Sequence, residues 1–258
     1  ASDVYKRQTY LSAIWRRQLN FQENVFYDVS TWTLPLAFGL THTVEPVRGV
    51  ATEKLSEQLT PQPKELIRSS IGYLVDWRDS ATPKLVYQLF DTEVKIRVAT
   101  RPLTANIKRQ GVRSFGYGTL FVSPKLTEDF PEDALKILDS AAQVGLGVYS
   151  VESSTTPVGI DLGSRYFKVI SKPNVLLASG ADTNAYRVGE IWHLLDTRVQ
   201  MPVTRVGLER LVNVDLSNYT HLLLTDPPKS SQEDLATKIS SFVRSGGIMW
   251  VQGDKALK

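Results

Sequence analysis

A chain of 258 residues can bury more than one core, and 42% hydrophobic with 22% charged residues is a globular composition, not a disordered one. Thirty basic residues are interspersed with twenty-seven acidic ones for a net charge of +3. This excludes a strongly polarised nucleic-acid or membrane-surface binder, and no run approaches the roughly 18 apolar residues of a spanning helix. The chain has no cysteine, which rules out disulfides, cysteine-ligated zinc, iron–sulfur clusters and a cysteine nucleophile.

Residues 1–60 read as an N-terminal packing segment and linker. The stretch 24–40 is densely apolar without a clean period, and Pro35 breaks any helix there. It reads as a surface packed against something larger. Thr60-Pro-Gln-Pro63 marks the linker's end. The opening residues lead into no apolar signal core.

A first α/β domain is expected over 61–170. Residues 71–75 form an apolar strand. Thr82 and Pro83 suit the first turn of a helix running to Phe90, with Leu85 and Leu89 inward. Val94, Ile96 and Val98 alternate with Lys95 and Arg97, the period of a strand. Residues 118–122 form another strand, stopped by Ser123-Pro124. The helix 131–144 places Ala134, Ile137, Leu138, Ala141 and Ala142 on one stripe and ends at Gly145, before a strand over 147–151. Lys108, Arg109 and Arg113 are the densest basic spot and read as a solvated loop; a nucleic-acid groove needs a longer basic stripe, so no nucleic-acid partner is expected.

The order repeats over 171–258. Strand 174–178 precedes a helix over 187–196 whose Val188, Ile191, Trp192 and Leu195 form a narrow apolar face. Strands follow at 202–206 and 220–225. Ser231 with Asp234 opens a helix whose Leu235, Ile239, Phe242 and Val243 face inward, and strand 248–252 follows Gly246-Gly247. Two halves each reading strand, helix, strand, strand, helix, strand imply two open, mostly parallel sheets with flanking helices. The second sheet reads as cut short, with a helix and strand expected beyond Lys258.

Candidate chemistry lies at strand ends. Asp76 and Trp77 follow the first strand and form either a binding loop or a polar turn with Trp77 lidding the core. Glu190 and His193 sit one turn apart on the central helix, and Asp226 ends a strand. Together they either line a ligand pocket or decorate the surface. His221 reads as a hydrogen-bonded residue at the core edge. His42-Thr-Val-Glu45 has the His-x-x-Glu spacing of a zinc site, but Pro46 follows at once and no clamp or base can be assigned nearby, so it reads as loop. Gly116-Tyr-Gly118 precedes a strand, whereas phosphate loops precede helices.

The segments Lys172-Pro-Asn-Val-Leu-Leu-Ala-Ser-Gly180, Tyr219-Thr-His-Leu-Leu-Leu-Thr-Asp226 and Phe242-Val-Arg-Ser-Gly-Gly-Ile-Met-Trp-Val251 resemble a class I glutamine amidotransferase-like domain, which implies a flavodoxin-like fold. That family carries a cysteine on the turn that here reads Gly253-Asp254-Lys255, so the resemblance is to a copy without glutaminase chemistry. A longer resemblance, carried by Phe26-Tyr-Asp-Val-Ser-Thr-Trp-Thr-Leu-Pro-Leu-Ala-Phe38, Gly116-Tyr-Gly-Thr-Leu-Phe-Val122, Gly159-Ile-Asp-Leu-Gly-Ser164 and Gly189-Glu-Ile-Trp-His-Leu-Leu-Asp196, is to the non-catalytic C-terminal region of large bacterial zinc carboxypeptidase-like proteins. It implies an accessory region without catalytic residues or metal of its own, zinc held by a peptidase domain upstream of Ala1, that domain as partner, and a periplasmic or secreted setting. Two other readings stay open: a small-molecule or peptide binding module, and a stand-alone α/β enzyme with its cleft at the strand carboxyl ends.

Overall fold

The computed structural model describes residues 63–127, 129–180, 183–225 and 233–252. The chain divides at Gln58/Leu59, and every described residue belongs to the second unit. The N-terminal packing segment, His42 and Glu45, Ser231, Asp226 and the turn 253–255 lie outside the described residues.

The first sheet has the order β6-β1-β5-β2-β7 and is antiparallel throughout. Its strands are β1 (Tyr73–Val75), β2 (Ile96–Ala99), β5 (Leu120–Val122), β6 (Val148–Ser150) and β7 (Phe167–Ile170). This corrects the expectation of parallel pairing in the first half, and the reason is topological. β1 and β2 run the same way, joined by helix α1 (Thr82–Phe90), but β5 slots between them. β5 and β6 likewise run the same way, joined by α2 (Glu132–Gln143), with β1 between them. Two crossover units are interleaved in the split βαβ arrangement, so each crossover spans an opposed neighbour.

Alternation along the strands sorts the side chains onto two faces. Tyr73, Val75, Ile96, Leu120 and Val122 face the helices, where Leu85, Leu89, Ala134 and Leu138 close one core. Leu74, Ala99, Phe121 and Tyr149 face the other way. That second face is covered by a hairpin absent from the sequence-based expectation, β3 (Leu103–Ile107) paired with β4 (Gly111–Phe115). Leu103, Ala105, Ile107 and Phe115 press onto it, as do Ile160 and Leu162 from the following loop. Arg113 therefore lies in a strand, half-buried, and not in a solvated loop.

Local chemistry explains the element ends. Pro83 occupies the first turn of α1, while the buried Thr82 hydroxyl donates to the Asp76 carbonyl at 2.9 Å, tying the helix start to the end of β1. Gly145 takes φ +87° past the end of α2, and its N–H reaches the Ala142 carbonyl at 2.9 Å.

The second sheet is parallel, with the order β11-β10-β8-β9. Its strands are β8 (Val175–Ser179), β9 (Val203–Gly207), β10 (His221–Leu224) and β11 (Ile248–Val251). Helix α3 (Ala185–Trp192), extended by a π turn over His193–Arg198, covers one face through Val188 and Ile191 on Leu177. Helix α4 (Glu233–Arg244) covers the other, packing Leu235, Ile239 and Phe242 near Leu176, Leu222 and Leu224. Val243, expected inward, is 44% exposed because the inner stripe of α4 is already filled by Phe242. The described residues are thus mixed α/β, one sheet parallel and the others antiparallel. Between the two sheets, Lys172 pairs with Asp91 and stands over the Tyr87 ring at 4.8 Å. Among the described residues, no helix is long and apolar enough to cross a membrane.

Candidate functional site

The parallel sheet reverses its order of growth between β8 and β10: the chain first steps from β8 to β9, then returns past β8 to β10 and β11. In open α/β sheets the crevice beyond the strand carboxyl ends at such a reversal is where ligands sit. Leu223 faces Leu177 across the sheet, and Ser179 faces Gly207. Two residues on, Thr225 joins the row Thr225–Ser179–Gly207. Strand alternation puts this row on the α3 face, with Leu223, Leu177 and Val203 beneath it.

The row is polar and unusual. Thr225 is 0% exposed, and among the described residues its hydroxyl has no hydrogen-bond partner. Such an orphan costs about 1–3 kcal/mol unless something answers it. The Ser179 hydroxyl donates to the Val206 carbonyl at 3.3 Å. Glu209 folds its carboxylate over Gly207 so closely that a Cβ there would stand 2.2 Å from Oε1. Among the described residues its charged neighbour is Arg210 at 3.8 Å, and both side chains are solvent-exposed. No motif in the sequence singles these residues out. The signal available was a polar residue ending each apolar strand run.

Helix α3 starts beside this row and runs back along the sheet, because a crossover between parallel strands must return to their amino ends. Asn184 caps it, accepting from the N–H groups of Tyr186 at 3.1 Å and Arg187 at 3.2 Å. Glu190 and His193 come five and eight residues after the first helical residue, about 8–12 Å along the axis. They lie toward the amino ends of the strands, the end opposite Thr225. Among the described residues neither side chain has a polar partner. Trp192 turns outward to stack with Arg205, whose guanidinium carbon is 3.8 Å from the ring centroid. His221 is held by Thr220, whose hydroxyl is 2.7 Å from Nδ1, and burial lowers its pKa from the ordinary 6.5.

No protein-family model, curated protein or solved structure matches the chain.

The other sequence-derived candidates, Asp76 and Trp77, leave the end of β1. The Asp76 carboxylate is held by Arg78 through Nη2 at 2.5 Å and Nε at 3.0 Å, with the Arg78 N–H adding a third donor at 3.1 Å. These hydrogen bonds outweigh partial burial and hold the Asp76 carboxyl below its ordinary 3.8; the Arg113 charge nearby adds to the effect. Trp77 lies over Gly118, where a Cβ would meet the indole at 3.2 Å, yet it stays 45% exposed. It covers the end of β5 while presenting half its ring to solvent.

Because the folded-state pKa of Asp76 is depressed, its ion pair adds stability above the unfolded value near pH 4 and loses it as pH falls through the folded value. Asp76→Asn is expected to lower the urea midpoint at pH 7, with the gap from the parent closing as pH falls from about 4 toward 2. A gap constant over that range in paired urea titrations would show that the ion pair does not contribute.

A groove of about 430 Å³ lies between α1 and α2, lined by Leu85, Ile137, Ala141 and Val144 with Lys84 and Lys136 beside it. Among the described residues, no three histidine, aspartate or glutamate side chains gather as a metal site.

Proposed function

We propose that this chain is a non-catalytic accessory region of a zinc carboxypeptidase-like protein, whose parallel domain is a flavodoxin-like, amidotransferase-like scaffold used for holding rather than reacting. The single observation that supports it is the parallel order β11-β10-β8-β9, with its reversal between β8 and β10, in a chain that has no cysteine. An amidotransferase of this architecture needs a thiolate on the turn after its nucleophile strand. Here the corresponding turn reads Gly253-Asp254-Lys255. The zinc and the peptidase chemistry belong to a domain upstream, and the accessory region shapes its substrate access. An exported setting goes with that reading.

The test has two arms. The chain alone is expected to hydrolyse neither C-terminally blocked nor free peptides, and to bind zinc well below one equivalent. The reading frame upstream of Ala1 is expected to encode a His-x-x-Glu zinc motif. Stoichiometric zinc with peptidase activity in this chain, or an upstream frame without ligands, overturns the proposal. A second reading, a small-molecule or peptide binding module, is favoured by the buried unanswered hydroxyl of Thr225 at the sheet's reversal.

A further inference from the structure

Three cationic side chains converge at the edge of the antiparallel sheet, where β6 begins. Arg113 reaches across from β4 and lays its guanidinium over the Tyr149 ring, 4.3 Å from the centroid. Lys64 places its ammonium 5.3 Å from the same centroid. Its backbone is fixed there by the Lys64 N–H donating to the Ala142 carbonyl at 3.0 Å. Arg78 is the third, spent on Asp76.

Tyr149 is a rigid platform for the first two. It is 4% exposed, braced edge-on by Phe115 at 5.4 Å, and its ring turns back over Gly147, where a Cβ would stand 3.3 Å away. Gly147 in turn accepts from the Asp76 N–H at 2.9 Å, so the carboxylate and the platform belong to one fixed frame.

The charges do not balance. Asp76 is the carboxylate that faces this cluster, and both its oxygens already accept from Arg78. That leaves the Arg113 and Lys64 side chains over one ring; among the described residues no carboxylate or carbonyl accepts a hydrogen bond from either side chain. Arg113 Nε is fully covered and, among the described residues, has no hydrogen-bond partner. A half-buried guanidinium has lost hydration that stacking on a ring, about 0.5–2 kcal/mol, only partly replaces. Groups left this way are the ones that answer an anion, and the planar fork of arginine matches the two oxygens of a carboxylate.

The surroundings add a second requirement. Trp77, leaving β1 beside Asp76, is 45% exposed, and Tyr117, just before β5, is 71% exposed. Both stand at the end of the sheet where β1 ends and β6 begins. Exposed aromatic faces beside unbalanced cations suit a ligand that joins a carboxylate to an apolar group.

From Arg113, Lys64, Tyr149 and the exposed Trp77 we infer that this sheet edge is a binding site for a carboxylate bearing an apolar group, such as the free C-terminal residue of a peptide. Arg113 and Lys64 receive the carboxylate over Tyr149, and the exposed aromatics receive the side chain. The inference does not rest on the accessory reading. Zinc or peptidase activity in the chain would overturn that reading and leave this site standing.

Calorimetric titration of the full chain with N-acetyl-L-phenylalanine, its amide and inorganic phosphate tests the site. The acid is expected to bind about tenfold or more tighter than the amide and than phosphate, and to weaken with added salt. Arg113→Gln and Lys64→Gln are each expected to lose about tenfold in affinity for the acid, with Arg113→Lys recovering part of it. Glu190→Gln, on the far domain, leaves binding unchanged. Because Arg113→Gln also removes a packed side chain, each variant's urea midpoint is measured, and Lys64→Gln decides if Arg113→Gln unfolds. Equal binding of acid and amide, no binding of any probe, or full affinity in Lys64→Gln overturns the site. Phosphate binding as tightly as the acid overturns the apolar-carboxylate assignment in favour of a simple anion site.

Discussion

Replacing Gly159 with alanine is expected to destabilise the antiparallel domain by about 2–5 kcal/mol. Two separate costs add. Gly159 has φ +94°, a backbone state that an L side chain rarely adopts. The added Cβ would also stand 2.5 Å from the Pro102 carbonyl oxygen and 2.8 Å from the Leu103 Cα. Both are backbone atoms, so no side chain can swing aside. Gly159 meets Leu103 in an isolated antiparallel bridge, and next to it the Thr104 N–H and hydroxyl are bonded to the Val158 carbonyl at 2.8 and 3.3 Å. Pushing the loop outward breaks these bonds and lifts Ile160 and Leu162 from the core they share with Leu103. Gly163, four residues on, is the matched control: a Cβ there meets nothing within 4 Å, and Gly163→Ala is expected to change stability by less than about 1 kcal/mol. Urea denaturation of the two variants beside the parent checks both. Equal midpoints for Gly159→Ala and Gly163→Ala would show that the close approach of the two backbones is not maintained in solution.

The element that imposes this close approach is the one the sequence hid. Residues 103–107 do alternate, Leu103, Ala105 and Ile107 inward, but three of the five, Thr104, Ala105 and Asn106, are small or polar and the run is short. Strand β4 has no readable apolar face: Val112 is exposed, Arg113 half-buried, and Phe115 alone enters the core. Its place is set by pairing with β3 through the turn at Lys108–Gln110, where Arg109 takes φ +59°. Propensity could not foresee that, since the stabilisation comes from partners and not from the strand's own residues. Helices α1, α2 and α4 announce themselves by period and end signals because each buries one stripe. Strands β8, β10 and β11 are equally plain, being short runs of apolar residues, whereas β9 carries Thr204 and Arg205.

Direction of pairing was the larger gap. A strand–helix–strand pattern specifies that β1 and β2 run alike, and they do, yet it is silent on whether a third strand enters between them. That choice depends on whether the two strands of a crossover leave room, which is a tertiary matter. The same gap governed the sites. Asp76 and Trp77 were legible as a strand-end loop, and they stand in a cluster of charge and aromatic rings. The partners Arg113, Tyr149 and Lys64 come from three distant segments, and no spacing in the chain links them. Helical spacing alone pairs Glu190 with His193, and it cannot tell which end of a strand a helix residue accompanies. Thr225, Ser179 and Gly207 share a row by register, a property of paired strands that a single sequence does not carry.

Leu222→Ala is expected to cost about 2–5 kcal/mol, and to do so in one sheet only. Leu222 is fully buried in β10, the strand paired on both sides, between β8 and β11. Its side chain sits in the layer with Leu176, Leu224, Leu235, Ile239 and Phe242. Truncation leaves a cavity lined by strand and helix residues held by a parallel ladder, which cannot close inward without breaking register. The loss therefore approaches the upper part of the range for buried leucines. The cores of the antiparallel sheet draw their residues from positions up to Ile170, and those of the parallel sheet from Leu176 onward. Hydrogen exchange is accordingly expected to speed up in β8, β9, β10 and β11 while amides of β1, β2, β5 and β6 keep their parent rates. Thermal unfolding then resolves into two steps, the earlier one belonging to the parallel sheet. Uniform acceleration across both sheets would show that they unfold as one unit, with the Lys172–Asp91 pair and its surroundings carrying cooperativity between them. Retained binding of a carboxylate probe at Arg113 in the same variant separates the two candidate sites, because that site lies wholly on the antiparallel side. Loss of the reversal at β8 and β10 would remove only what the row at Thr225 holds.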